Sequence, residues 1–255
     1  MEAAKIVLNL PEKPGQDREE TLIELVKAGE YLPIQWCAFR SSHKGHNAII
    51  LCTADALQVG TPEDSLRINV THTGAQRIAD ILGLRLPTTK IADLIHQEAT
   101  VRITPCTQTP DARMADTSRM YQHSRAVGAK TKGRGGLTST VGKDWVLTNR
   151  LKGKPDKGAN FGWHVEKGSY YSPGGLPVLQ PLGLAHNRHH VDYSQVLRLI
   201  HPVVTVDGKD MNLDDVLQDD ELSGLVSDEG PLEIVRHPGV EPPKHVTPPP
   251  LACGA

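Results

Sequence analysis

Residues 71–83, "THTGAQRIADILG", carry the clearest structural pattern in the chain. Thr73 and Gln76 stand at capping-box spacing. The apolar residues that follow recur at helical spacing and end at a glycine: Ile78, Ile81, Leu82 and Gly83. The pattern predicts a helix over 74–82, and "LPTTKIADLIHQEA" predicts a second helix after Pro87.

Alternating apolar segments on both sides of these helices predict strands. They are "KIVLNL" (5–10), "YLPIQWCAF" (31–39), "HNAIILCTADALQVG" (46–60), "SLRINV" (65–70), "DWVLTN" (144–149), "NFGWHV" (160–165), "LPVLQPL" (176–182) and "RLIHPVVTVDGKDM" (198–211), the last with a turn at Asp207-Gly208. Shorter helices are predicted at 18–28, 112–127, 213–218 and 220–225. The expected fold is a single α+β domain over 1–230 with a mixed or antiparallel sheet, a mobile basic loop at 128–142 and a disordered proline-rich tail at 231–255.

Composition indicates an ordinary soluble protein. The 255 residues are 38% hydrophobic with a formal net charge of −2, and no apolar run approaches the ~18 residues that span a bilayer. The four cysteines form no CxxC pair, which argues against a cysteine-rich metal site or a disulfide scaffold. Residues 1–12 are interpreted as a first strand rather than a secretory signal. A cytoplasmic protein without a membrane anchor is therefore expected.

The segment 183–195, "GLAHNRHHVDYSQ", concentrates chemically active side chains. If it is helical, His186 and His190 share one face at i and i+4 and can hold one metal ion. If it is extended, His190 and Asp192 share a face instead. His164 in "FGWH" could supply a third ligand, which predicts a zinc site with an open position for water.

A metal-free site is equally consistent with these residues. His186 or His190 would then act as general base oriented by Asp192, and Tyr193 or Ser194 would contribute a hydroxyl. A structural alternative is a polar surface connection without catalytic function. In either catalytic form, Arg198 is predicted to hold an anionic group of the substrate. Three further residues are predicted to contact the substrate: Trp163, Gln180 and Lys143.

A basic segment offers a different function. Between Arg125 and Lys157 there are nine Lys or Arg residues and two acidic ones, and glycines at 133, 135 and 136 would let backbone amides approach an anion. Only Trp145 is aromatic in this stretch, so stacking platforms for single-stranded nucleic acid are scarce. The segment is interpreted first as a solvated loop; if it binds a ligand, the candidates are an anionic wall polymer, a nucleotide or nucleic acid, with nucleic acid the less favoured.

The order of "GAQRIADILGLRLPTTKIADLI", "FGWHV", "LPVLQPLGLAH" and "VDYSQVLRLI" resembles a poorly characterised group of bacterial and bacteriophage proteins. The resemblance covers about 65–230 and implies association with the cell envelope. Its marked positions would be His164, Gln180, His186, Asp192, Tyr193, Ser194 and Arg198. Gln195 stands where the pattern has a histidine, and no secretion signal is seen, which a phage-encoded protein released on lysis would not need.

Two functions are expected from these patterns. The first is a hydrolase of a cell-wall peptide or glycan that uses the histidine and aspartate cluster, with zinc as the expected cofactor. The second is a non-enzymatic polyanion-binding or virion-associated protein that uses segment 125–157. The oligomeric state is not predicted.

Overall fold

The computed structural model describes residues 1–243. These residues contain six α-helices: α1 (Ala3–Asn9), α2 (Gln16–Lys27), α3 (His72–Leu82), α4 (Thr89–Glu98), α5 (Thr117–Thr131) and α6 (Leu213–Gln218). Short 3-10 turns occupy Asn149–Leu151 and Ser223–Leu225. No helix in this part of the chain is long and apolar enough to span a membrane.

Strands build two main sheets and two small ones within the described residues. In chain order the strands are β1 (Trp36–His43), β2 (His46–Thr53), β3 (Gln58–Gly60), β4 (Ser65–Arg67), β5 (Val101–Arg102), β6 (Thr138–Ser139), β7 (Lys143–Trp145), β8 (Asn160–His164), β9 (Tyr170–Tyr171), β10 (Pro177–Gly183), β11 (Gln195–Val196), β12 (Val203–Val206) and β13 (Lys209–Asn212). The predicted α+β class is confirmed.

Helix α3 begins two residues before the predicted start. Its N-cap is Thr71 rather than Thr73, because Thr71 Oγ1 accepts the backbone N–H of Gly74 at 3.0 Å. The Glu19 carboxylate accepts the N–H of Thr71 at 2.7 Å and so joins α2 to this cap. Gly83 ends α3 in the left-handed conformation that glycine adopts without strain.

The first sheet has the order β1-β2-β12-β13, and every neighbouring pair is antiparallel. The alternation predicted for its strands is confirmed at β2, where Ile50 is buried and Ile49 is exposed. The turn predicted at Asp207-Gly208 joins β12 to β13, with both residues at positive φ.

The second sheet has the order β11-β7-β8-β10-β9 and is mixed, because β11 runs parallel to β7 and the other pairs are antiparallel. It carries four of the ten predicted site residues. Lys143 lies on β7, Trp163 and His164 lie on β8, and Gln180 lies on β10.

Helix α4 packs between the two sheets and thereby brings its polar side chains to the site. Ile91 and Ile95 belong to the large apolar core shared with the first sheet. Ala92, one residue on from Ile91, packs instead with Phe161 of β8 and Val178 of β10. Asp93, which follows Ala92 on the helix, is consequently held against the second sheet.

The first predicted strand is wrong, because residues 3–9 form α1. Ala3, Ile6 and Leu10 are all buried, whereas Leu8 is exposed. Their spacing of three and four residues follows the helical period, and a run of only six residues also satisfies strand alternation. Here the helical packing prevails.

The basic loop predicted at 128–142 is shorter in the structure. Helix α5 continues through Thr131, and residues 137–142 are buried, with β6 paired to β5. Only 132–136 form an exposed connection. The glycine and lysine content of this segment does not predict the buried strand β6 that it contains.

The proline-rich tail was predicted to begin at 231, but the chain beyond that point still packs on the domain. Leu232 and His237 are both buried. The Nδ1 of His237 accepts a hydrogen bond from the backbone N–H of Gly239 at 3.0 Å. The packed domain therefore extends at least to His237. The rest of the predicted tail, 244–255, lies outside the described residues.

Candidate functional site

The segment that holds the predicted site is a turn, neither helical nor extended. The carbonyl of Asn187 accepts the N–H of His190 at 3.1 Å and closes the turn. This folds His186 and His190 onto each other, with ring centroids 3.6 Å apart and planes inclined by 5°. The predicted pairing of these two imidazoles is present, although the turn rather than a helix produces it.

Asp192 anchors the next part of this segment. Its Oδ1 accepts hydrogen bonds from the N–H and the hydroxyl of Ser194, at 2.7 and 2.5 Å. Its Oδ2 lies 3.7 Å from His190 Nε2 and 3.8 Å from Lys143 Nζ, distances of ion pairing rather than of direct hydrogen bonds. Burial favours the neutral acid, but His190, Lys143 and Ser194 outweigh it and hold the pKa of Asp192 well below its usual value.

Lys143 links this carboxylate to an aromatic wall. Its ammonium lies 5.0 Å from the centre of the Trp163 ring, within the range of a cation–π contact. The N–H of Lys143 donates to the carbonyl of Ser194 at 2.7 Å, so β7 and the turn are fixed relative to each other. Trp163 has a φ of 54°, a left-handed conformation that is strained for a bulky residue.

His186 and His190 are both half-buried, but the Nε2 of His190 is a buried atom whereas no ring nitrogen of His186 is. Neither ring nitrogen of His186 has a hydrogen-bond partner among the described residues. Burial and the neighbouring His190 lower the pKa of His186 below its ordinary value. The imidazole is therefore neutral at pH 7 and can accept a proton.

His164 is not brought to the other two predicted metal ligands. Its Nε2 forms a buried hydrogen bond with Asp93 Oδ1 at 2.7 Å, and its ring stacks on His96 at 4.3 Å. Between residues 1 and 243 there is no group of three His, Cys, Asp or Glu side chains arranged to hold a metal. The set His164, His186 and His190 is therefore not assembled.

Three predicted catalytic or binding groups are buried and occupied by the protein itself. The Tyr193 hydroxyl accepts the N–H of Gln108 at 2.8 Å, and the Ser194 hydroxyl is taken by Asp192. Arg198 donates to the carbonyls of Thr53 and Thr138 at 2.6 and 2.7 Å. These side chains hold the site in place. Arg198 was predicted to hold an anionic substrate, but its guanidinium is instead bound to these two carbonyls.

Gln180 is half-buried, and its side-chain amide donates to the carbonyl of Pro181 at 2.9 Å. It sits on β10, opposite Gly162 of β8, and so lies one residue from Trp163 in the ladder. Of the predicted substrate contacts, Trp163 and Lys143 touch each other. Gln180 lies on the same sheet, but it makes no hydrogen bond to the histidine turn in residues 1–243.

A second polar cluster lies beside His164 and was not predicted. His96 Nδ1 is 2.7 Å from Ser139 Oγ, and the two stacked rings thereby join Asp93 to Ser139. A recess of about 10 Å³, the room of one water molecule, lies against Ser139, Asp144 and His164. Burial raises the pKa of Asp144 to about 6, against the opposing influence of Arg198 and His164.

One sequence feature could have indicated this cluster. Asp93 and His96 stand three residues apart on a predicted helix and therefore share a face. Ser139 gave no such signal, because its segment was interpreted as a basic loop, and Asp144 was interpreted only as the first residue of a strand.

Comparison of the chain with protein-family models, with curated proteins and with solved structures finds no match.

Proposed function

We propose that the protein is a hydrolase that cleaves a peptide or glycan of the bacterial cell wall by acid–base catalysis at the histidine turn. The observation that carries the proposal is the free imidazole of His186, stacked on His190 next to a carboxylate that is fixed by Lys143 and Ser194. The choice of a cell-wall substrate rests on the resemblance of the ordered motifs.

The proposed reaction assigns two proton transfers to His186, first as base and then as acid. The neutral imidazole removes a proton from water, the water oxygen bonds to the carbon of the scissile bond, and the leaving group departs with the proton that His186 returns. The charge of Asp192 favours the imidazolium form of His186, whereas the stacked His190 opposes it. The ammonium of Lys143 is the nearby cation that can offset negative charge on the reacting group.

Ser194 and Arg198 act as positioning residues in this proposal. Ser194 fixes the orientation of the Asp192 carboxylate through two hydrogen bonds. Arg198 ties the chain just beyond the turn to the carbonyls of Thr53 and Thr138. Neither group needs to touch the substrate.

The decisive experiment compares His186→Gln with His189→Gln. Purified wall fragments are incubated with each protein, and released peptides and sugars are quantified by mass spectrometry. His189 is the matched control, because it is exposed in the same turn and its side chain makes no hydrogen bond within residues 1–243. We expect His186→Gln to lower kcat/KM by about 10²–10⁴-fold, the range for loss of a general base, while His189→Gln keeps wild-type activity.

Failure has a clear form. Wild-type protein that releases no product from wall peptides or glycans between pH 5 and 9 would exclude the proposed hydrolase. Equal losses in the two variants would show that the turn, and not the His186 imidazole, matters.

Zinc at this site stays a prediction, and no step above passes through a metal. Elemental analysis of the purified protein and of His186→Ala tests it directly. About one zinc per chain that is lost in the variant would establish a metal site at the turn. No zinc after reconstitution would leave acid–base catalysis alone.

A further inference from the structure

A groove of about 960 Å³ runs along α5 and is separate from the histidine turn. One wall is the second half of α5 with residues 132–136. The other wall comes from residues 32–35, 53–58 and 62–67. We call it the α5 groove, and none of the predicted catalytic or metal-binding residues lines it.

The lining of the α5 groove is positively charged in a chain whose net charge is negative. Four basic side chains and two acidic ones line it: Arg67, Arg125, Lys132, Arg134, Asp55 and Glu63. Arg67 neutralises Asp55 through hydrogen bonds of 3.0 and 2.5 Å. The three remaining basic groups therefore face a single free carboxylate, which favours an anionic ligand.

The rim cations are free to bind. Lys132 and Arg134 are exposed, and neither side chain has an acidic partner among the described residues. Arg125 contacts Asp64 only at 3.4 Å, with its side chain 60% exposed, and such surface pairs hold their partners weakly. Lys130 differs from these, because Thr104 holds its ammonium at 2.9 and 2.7 Å and it does not line the groove.

Backbone donors add to this surface. In the described chain the N–H groups of Gly133, Gly135 and Gly136 donate to no protein acceptor. Backbone donors are normally paired with protein, water or ligand. A phosphate oxygen is a suitable acceptor at such a place, since it combines charge with hydrogen-bond capacity.

The remainder of the lining limits the kind of ligand. No Phe, Tyr or Trp side chain lines the α5 groove, and the wall opposite α5 contributes an aliphatic floor made of these residues: Leu32, Pro33, Ile34, Ala56 and Leu57. Single-stranded nucleic acids are normally bound by stacking of their bases on aromatic rings. A ligand with phosphates on a backbone without aromatic groups fits this lining better.

We propose that the α5 groove is a binding site for a polyol-phosphate chain, with the phosphodiester groups held by Lys132, Arg134 and Arg125. The ligand spans the groove and contacts the aliphatic floor through its carbon backbone. The site is independent of the proposed hydrolase, because the two share no residue.

The test measures binding of a fluorescently labelled glycerol-phosphate oligomer by anisotropy at 50 and 200 mM salt. The proteins are wild type, the double variant Lys132→Ala/Arg134→Ala, the control Lys130→Ala and the catalytic variant His186→Gln. An oligothymidine with the same number of phosphates is the competing probe. Thermal unfolding verifies that each variant is folded.

We expect wild type, Lys130→Ala and His186→Gln to bind the oligomer equally. The double variant should bind at least about tenfold more weakly at 50 mM salt, and its slope of log K against log salt should be smaller by roughly 1.4–1.8, as expected for two lost phosphate contacts. Absence of binding in wild type at 50 mM salt, or an equal loss in Lys130→Ala, would overturn the proposal. Tighter binding of oligothymidine would overturn the ligand class.

Discussion

Two stacked histidine pairs stand beside an aspartate in this molecule, and they differ in what their nitrogens do. His96 and His164 are held by Ser139 and Asp93 through hydrogen bonds of 2.7 Å each. His186 and His190 stack more closely, but within residues 1–243 their ring nitrogens make no hydrogen bond, and His190 Nε2 approaches Asp192 only to 3.7 Å. The first pair lies on α4 and β8, and the second on a turn at the surface.

The difference shows how similar residues acquire different roles. A buried and paired imidazole stabilises the fold, because its polar atoms are satisfied where water cannot reach them. An unpaired imidazole at the surface has its proton-accepting capacity available for a ligand. The comparison therefore predicts that substitutions in the first pair mainly affect stability, whereas substitutions in the second affect activity.

The largest stability effect is expected for Asp93→Ala. This change leaves His164 without its partner in a buried position, so we expect the free energy of unfolding to fall by about 3–5 kcal/mol, the range for breaking a buried pair. Urea denaturation measures it, with Asp220→Ala, an exposed aspartate, as control. A loss no larger than in the control would remove the structural role assigned to the first pair.

The next largest effect is on the stability of the protein at acidic pH. Burial lowers the pKa of His123 to about 4, below its unfolded value, so its neutral form favours folding above pH 6.5 and this stabilisation is lost as the pH falls toward 4. His123→Phe removes a ring whose two nitrogens have no partner. We expect the variant to retain roughly 2 kcal/mol of stability that wild type loses between pH 7 and 5, measured by urea denaturation at both values.

Asp144 provides a contrast to His123, because its pKa is raised to about 6. Its contribution is present below pH 3.8 and is lost as the pH rises through 6. Asp144→Asn should therefore steepen the acid destabilisation that His123→Phe reduces. If both variants changed the pH dependence in the same direction, the assigned environments would be wrong.

The smallest effects come from two serines, one in each cluster. Ser194→Ala removes the hydroxyl donor to Asp192, and Ser139→Ala removes the partner of His96. Each should cost about 1 kcal/mol of stability, as a hydrogen bond typically does. Only Ser194→Ala should also lower kcat/KM on wall fragments, by up to about tenfold, because a 1.4 kcal/mol change in orientation energy corresponds to that factor. Equal kinetics in the two variants would contradict the separation of the clusters.

Local patterns predicted the elements that depend on local interactions. The helices α3 and α4 and the β12–β13 hairpin follow caps, periodicity and a turn dipeptide, so the sequence reveals them. That His186, His190 and Asp192 belong to one segment could also be predicted, because all three lie within seven residues of sequence. Their turn could not, since it depends on the contact of Asn187 with Lys157 across the chain.

The second cluster escaped prediction for a related reason. Asp93 meets His164 only because α4 packs between the sheets, a contact over 71 residues of sequence. Ser139 belongs to a segment whose Gly, Lys and Thr content is typical of an exposed loop, and its burial is imposed by pairing with β5. Such long-range contacts leave no periodic pattern along the chain.

The left-handed backbone at Trp163 is a strain that the surrounding packing outweighs. Glycine would adopt this conformation freely, yet it would remove an indole that is only 5% exposed and that lies against Lys143, His123 and Tyr193. The cavity left by a buried Trp costs about 3–5 kcal/mol, more than the roughly 1–2 kcal/mol of left-handed strain. A library screened separately for heat resistance and for activity should therefore retain Trp163 under both selections.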